Sequence, residues 1–410
     1  MLDLIIKNGQ CYIEGELKAV DVAIKNGKIQ NIGQISEETK ETIDAKGLLV
    51  LPGCIDTQTH FREPGSTDTE DLNSGSRAAI MGGITAVFEM PNTNPPTSNK
   101  KEFQKKLDLA KNRMYCNYAF YFGATADNAD ELADLKNLEG CCGIKLFAGS
   151  STGNLLVADE KDIEKVFQSS SKVVAVHSED EEILNMNKKL IKDGVVHSHP
   201  IWRSEECAIS STRRIVKIAE RYEKKAHILH ITTKQEIDFL SQHKGNITFE
   251  ITPQHLTIYA PDCYDKLGTY AQMNPPLRDK SHYDRLWYAI KNNINDTIGS
   301  DHAPHLKVNK EKSYPNSPSG MPGVQTLMPV MLNHINDGKL SLNQLMSLVC
   351  ENPVKIFGIK NKGFIKEGFD ADFTIVDMNK KIVIKNENIE SKCGWSPFNG
   401  FEFKGTPVST

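Results

Sequence analysis

The chain is poor in the features that mark several broad protein classes. Its 49 basic and 53 acidic residues leave a net charge of −4, so there is no electrostatic footprint for nucleic acid. The opening apolar stretch, Met1–Ile6, closes at Lys7, Asn8 and Gly9, too short for a secretory signal core or a membrane span. A cytoplasmic protein without a membrane partner is expected. Nine cysteines include no Cys-x-x-Cys pair, and the adjacent Cys141 and Cys142 would bridge only under strain. They read as reduced, mostly buried thiols. No internal repeat, low-complexity tract or coiled-coil heptad is present, and no Gly-rich phosphate loop opens a helix. What remains is an ordinary globular composition, 39% hydrophobic and 25% charged. At 410 residues the chain has room for a large barrel-type domain with an appendage.

Short strand-like runs occupy both ends. Leu4–Ile6, Val20–Ile24 and Lys28–Ile32 are punctuated by Asn8-Gly9 and Asn26-Gly27, the pattern of a small antiparallel sheet. Gly363–Ile365, Asp372–Val376 and Lys381–Ile384 repeat that style. Residues 1–50 and 360–410 are therefore expected to pair into one β-sandwich, with residues 51–359 between them. In that middle part apolar runs alternate with helical segments: Thr85–Met90, Tyr118–Phe122, Gly143–Phe147, Val173–His177, His227–His230, Ile247–Ile251 and Thr297–Asp301. About seven or eight such units predict an α/β fold, a (β/α)8 TIM-type barrel. His177, His230 and Asp301 each close a run, where a barrel presents its reactive groups. Leu306–Gly320, rich in Lys, Asn, Ser and Pro, reads as a long mobile loop beside the mouth, able to act as a lid.

Several polar residues could carry chemistry. Asp56–Gly65 follows the apolar run Leu49–Ile55, and strand alternation would turn Gln58, His60 and Arg62 to one side. Taken singly, a histidine there also reads as a satisfied structural residue. His177 and His230 on further strands converge with His60 only at the mouth, and convergence favours a metal. Imidazole nitrogens with a carboxylate suit zinc or a similar divalent ion that keeps an open position. Asp301 could bind metal through one oxygen and act as general base through the other, or simply cap the following helix. Lys145 lies inside an apolar run. It either snorkels to solvent or faces the mouth, where a depressed pKa would let its amine take up carbon dioxide as a carbamate. His227 reads as a hydrogen-bonded core residue. The Gly149–Gly153 turn resembles a phosphate loop only superficially, since no Gly-Lys-Ser/Thr follows. Asn92 and Asn274 sit among prolines in Met90–Pro96 and Met273–Arg278, where turn chemistry is an alternative to ligand binding.

These motifs stand in the order found in one family. His60-Phe-Arg-Glu-Pro-Gly65, Met90-Pro-Asn-Thr93, Met273-Asn-Pro-Pro-Leu-Arg278, Ser300-Asp-His-Ala-Pro-His305 with Glu311-Lys312, and Gly363–Asp372 together resemble the dihydroorotases of the amidohydrolase superfamily. The resemblance spans essentially the whole chain. It implies a (β/α)8 barrel with a β-sandwich from both termini, and reversible metal-dependent hydrolysis of dihydroorotate to N-carbamoyl-aspartate in pyrimidine biosynthesis. It implies His60, His177, His230 and Asp301 as ligands of one or two zinc ions, with Lys145 similar to the lysine that hydantoinases carboxylate. It also implies Arg62, Asn92 and His305 as holders of the substrate carboxylate, and Asn274 as a contact to the ring.

Two positions depart from the family pattern. Gln58 stands where the first histidine of a His-x-His motif is usual, and an amide is a poor zinc ligand beside imidazole. Lys145 stands near where many dihydroorotases of this length carry Asp. Lys145 favours a hydantoinase or allantoinase as the rival reading, against which Arg62, Asn92 and His305 speak, since a carboxylate clamp has no use on a neutral hydantoin. Gln58 alone favours a non-catalytic partner of aspartate transcarbamoylase. A homodimer is the expected assembly.

Overall fold

The computed structural model describes residues 1–151 and 153–410; Thr152, within the Gly149–Gly153 turn, lies outside the described residues. Seven strands open the chain: β1 (Leu2–Lys7), β2 (Gln10–Ile13), β3 (Glu16–Ala19), β4 (Asp21–Lys25), β5 (Lys28–Gly33), β6 (Thr39–Asp44) and β7 (Leu49–Pro52). Asn26-Gly27 turns β4 into β5, both residues at positive φ, 51° and 70°. Asn8-Gly9 makes no hairpin. β1 pairs with β4 and β6 while β2 pairs with β3 and β7, so this turn carries the chain between two sheets. A Cβ at Gly9 would meet Val50 Cγ2 at 2.6 Å, so the close crossing requires glycine.

Eight barrel strands follow: β8 (Cys54–Thr59), β9 (Ile84–Glu89), β10 (Asn117–Gly123), β11 (Cys141–Phe147), β12 (Val174–His177), β13 (Ala226–Ile228), β14 (Ile247–Ile251) and β15 (Thr297–Ile298). They pair in parallel, each with the next in sequence, as one eight-stranded sheet. The seam closes where Thr59 bridges His302 and the His60 amide donates to the His302 carbonyl at 2.8 Å. Helices return each strand to the next, and their starts are set by side-chain caps: Asp71, Asn99, Asp159, Ser204, Thr233 and Asp279 each accept a backbone N–H. This is the TIM-type (β/α)8 barrel that the alternation predicts. No described helix is long and apolar enough to cross a membrane, and all nine cysteines are buried and free.

The last strands, β16 (Phe373–Val383) and β17 (Glu402–Ser409), return to the N-terminal strands. The sheets run β5-β4-β1-β6 and β17-β16-β7-β2-β3. Ile6, Val22, Ile24 and Ile29 of the first pack on Cys11, Val50, Phe373 and Ile375 of the second, burying two apolar faces together. Two expectations are corrected. Gly363–Ile365 forms no strand, and β16 takes in most of the two later runs as one strand of 11 residues. Between β16 and β17 the chain leaves the sandwich for the barrel mouth, where Trp395 Nε1 donates to the His305 carbonyl at 2.7 Å.

The segment Leu306–Gly320 is also not the mobile loop that its composition suggests. It begins with a short helix, Lys307–Lys310, and Lys310, Tyr314 and Ser317 are buried. Gln272 holds it, donating from Nε2 to the Ser317 carbonyl and Ser319 Oγ, both at 3.0 Å, and accepting at Oε1 from Ser317 Oγ at 2.6 Å. Lys307, Glu311, Lys312, Ser313 and Asn316 face solvent, while the buried Lys310 and Ser317 satisfy internal hydrogen bonds.

Candidate active site

The barrel ends its strands where the reactive side chains begin. His60 is one residue past β8, Lys145 lies within β11, His177 is the last residue of β12, His230 is two past β13 and Asp301 three past β15. With Gln58, Arg62, Asn92 and Asn274 they line one small pocket of about 20 Å³. His305 is outside that lining. It joins Arg62 and Asn92 around an adjoining chamber of about 410 Å³, with its Nε2 3.5 Å from Arg62 Nη2. The structure thus brings every residue singled out for chemistry to one end of the barrel. His227, by contrast, hydrogen-bonds to Thr248 Oγ1 at 2.9 Å inside the core.

Strand alternation is not what collects Gln58, His60 and Arg62. β8 stops at Thr59, and Arg62 enters the pocket with φ of 61°. His230 and Asp301 also have positive φ, 38° and 43°, a region that non-glycine residues seldom adopt unless the surroundings impose it.

Second partners fix which ring nitrogens face the pocket. His177 Nε2 is 2.9 Å from Glu179 Oε2, and Arg203 pairs with that same oxygen. Burial alone would push the Glu179 pKa up, but Arg203 and His177 hold it down at about 2. As a fixed acceptor Glu179 keeps the His177 proton on Nε2 and leaves the Nδ1 lone pair facing His230 Nε2 at 3.1 Å. Likewise His60 Nδ1 donates to Asn92 Oδ1 at 2.8 Å, so the Nε2 lone pair faces Asp301 Oδ1 at 3.2 Å. Burial and the nearby Arg62 hold the His60 pKa well below its usual value, so that ring is neutral. A lone pair opposite a carboxylate oxygen, and two imidazole nitrogens edge to edge, form a donor set that fits a divalent cation.

The rest of the pocket has matching orphans. Lys145 is fully buried, its Nζ has no hydrogen-bond partner among the described residues, and burial draws its pKa down to about 7. Gln58 Nε2 donates to Asp301 Oδ1 at 2.9 Å while its Oε1 is unpartnered among the described residues. Arg62 gives Nε and Nη2 to the Pro304 carbonyl at 3.3 and 3.2 Å and makes no ion pair among the described residues. Asn274 Oδ1 receives His199 Nε2 at 3.0 Å.

Sequence reasoning passed over Glu179, which backs His177, Arg203, which pairs with Glu179, and His199, which holds Asn274. It also passed over Glu250, which binds Thr57 Oγ1 beneath the pocket. Glu250 carried a legible signal, an acid within the buried run Ile247–Ile251, the same kind that marks Lys145. Outside the mouth, Glu205, Asp279 and His282 form, among the described residues, a group with ligand-type atoms within 4.8 Å of one another. There the Lys234 amide donates to His282 Nδ1 at 3.0 Å, so the ring proton is on Nε2, 2.9 Å from Glu205 Oε1. With no lone pair turned to the acids, this is a hydrogen-bonded cluster at two helix starts.

A family model described as the amidohydrolase family matches residues 49–410. The chain belongs to the amidohydrolase family. A dihydroorotase of Methanosarcina acetivorans is 35% identical over 419 residues, 98% of this chain and 89% of its own length. An allantoinase of Salmonella choleraesuis is 31% identical over 414 residues, 97% of this chain and 91% of its own length. Among solved structures, the L-hydantoinase of Arthrobacter aurescens superposes with a TM-score of 0.94 at 29% identity, covering 100% of this chain and 94% of that one. Family and relatives make the chain an enzyme, a cyclic amide hydrolase, of a family that is generally metal-dependent.

Proposed function

We propose that this amidohydrolase is a dihydroorotase, opening dihydroorotate to N-carbamoyl-aspartate and closing it again. The observation that carries this reading is Arg62, a buried guanidinium at the pocket with no carboxylate paired to it among the described residues. A buried guanidinium with acids near it but none paired to it, beside a small pocket, suits an anionic ligand. Asn92 and His305 stand next to it, which suits a ring bearing a carboxylate.

His60, His177, His230 and Asp301 would hold the metal, zinc by their donor chemistry, and Lys145 as a carbamate would join them if a second ion binds. Bound there, a divalent ion supplies Lewis acidity at the ring carbonyl and acidifies water. The protein's own groups do the rest. Arg62, with Asn92 and His305, grips the ring carboxylate, and Asn274 contacts the ring through the amide that His199 orients. Asp301 takes the proton from the water whose oxygen attacks the ring amide carbon. As the carbon–nitrogen bond breaks, Asp301 returns that proton to the departing nitrogen, which becomes the carbamoyl amino group. Gln58 Nε2 holds Asp301 Oδ1 in place for both transfers.

A second reading, hydrolysis of a neutral hydantoin-type ring, draws on Lys145 and on the superposition with the L-hydantoinase. Dihydroorotate and hydantoin turnover, measured on protein whose metal content is determined in the same sample, separates the two. Turnover of dihydroorotate is expected; turnover of hydantoin alone would overturn the proposal.

A further inference from the structure

Lys310 is a lysine that makes no ion pair among the described residues. It is fully buried at the end of the short helix Lys307–Lys310. Its Nζ donates to the carbonyls of Gln272 at 3.0 Å, Pro318 at 2.9 Å and Gly320 at 3.1 Å. Those are three acceptors for the three protons of an ammonium group. Burial presses its pKa down to about 7, against carbonyls that favour the charged form. An apolar residue at this position would leave three carbonyls without this donor, so Lys310 holds together the segments that carry them.

The three carbonyls belong to segments that build the pocket. Gln272 precedes Met273 and Asn274, and Asn274 is in the pocket lining. Ser319 and Gly320 form another part of that lining, and the Ser319 carbonyl holds His305 Nε2 at 2.9 Å. Gly320 has φ of 143°, and a Cβ there would meet the Ala303 carbonyl oxygen at 2.5 Å, so the close approach of this wall to Ala303 requires glycine. Trp395 closes the back, its indole lying 5.7 Å from the Lys310 ammonium while its Nε1 holds the His305 carbonyl.

We infer that Lys310 is a positioning residue for substrate specificity: it straps Gln272 to Pro318 and Gly320, and so sets the Ser319–Gly320 wall and His305 against a carboxylate-bearing ring. Lys310 itself does not touch the substrate. This rests on the dihydroorotase reading, and the test separates the two.

Wild-type enzyme, Lys310→Met and Ser317→Ala are compared in kcat and KM for dihydroorotate, alongside metal content and melting temperature. Lys310→Met is expected to raise KM about tenfold or more with kcat within about threefold and metal content unchanged. Ser317→Ala leaves the ammonium but loosens the same strap through Gln272, and a KM rise of about twofold to fivefold is expected. It decides the matter if Lys310→Met does not fold. Unchanged KM in the folded variants overturns the inference, as does a fall in kcat at constant KM. Failure of wild-type enzyme itself to turn over dihydroorotate overturns the functional reading first, and the carboxylate role of Lys310 with it.

Discussion

Gln58 donates its side-chain amide to Asp301 Oδ1 at 2.9 Å, across the seam where the first barrel strand meets the last. The residue that looked like a lost metal ligand is the group that holds the carboxylate proposed as general base. An amide can do this because it offers N–H donors that neutral imidazole, with one proton, has to ration. Gln58→Leu is therefore expected to lower kcat by about tenfold to a hundredfold while KM changes little. Steady-state kinetics with metal content measured alongside checks it; a variant that loses metal but keeps turnover per bound ion would contradict it.

Glu179 stands behind His177 as Asn92 stands behind His60, and each fixes the tautomer that turns a lone pair to the pocket. Glu179→Gln would supply an N–H or a weak acceptor where a full charge now sits. Metal retention should weaken by about tenfold to a hundredfold. Competition with a chelator reads this directly, without any substrate. Equal retention in wild type and variant would mean that Arg203 and Glu179 only support the loop.

Arg62→Met removes a guanidinium with no carboxylate partner among the described residues but keeps much of the side-chain volume. The loss in kcat/KM for dihydroorotate should be about a hundredfold, in line with a buried charge-assisted bidentate contact. Turnover of a neutral ring, if any, should be little affected. An unaltered kcat/KM for dihydroorotate would remove the carboxylate assignment.

His334 gives a pH prediction well away from the pocket. It packs on Trp287 and hydrogen-bonds to Thr257 Oγ1 at 3.0 Å, and burial lowers its pKa to about 3. The unfolded chain takes up this proton near pH 6.5 and the folded one only near 3, so in that window the unfolded state binds more protons. The contribution to stability is complete above about pH 6.5 and declines as pH falls, by roughly 2 kcal/mol between pH 7 and 5. Urea unfolding of His334→Gln, which retains a partner for Thr257, should show a shallower loss over that range. Parallel curves for the two proteins would refute it.

Much of the architecture was legible because it rests on local chemistry. Alternating apolar runs and capped helices specify β/α units, since each strand must bury both faces and each helix one. A lysine inside β11 and polar residues closing buried runs marked the mouth, because such groups are not buried without a reason. Local pattern does not say which sheet a turn enters, and so Asn8-Gly9 looked like a hairpin although it joins two sheets. Nor does it reveal that Lys310 and Ser317 are buried in Leu306–Gly320: both are held by Gln272, 38 or more residues away in sequence, which only the fold brings beside them.

The sequence alone determined the fold class and the identities of the candidate ligands, because periodicity and residue type are properties of the chain. Tertiary structure decided how they act. Closure of the barrel seam brought Gln58 to Asp301, and the loop after β12 brought Arg203 back to Glu179. Tautomer, charge state and unpaired cation at this site are set by neighbours distant in sequence, since hydrogen bonding and desolvation depend on distance in space.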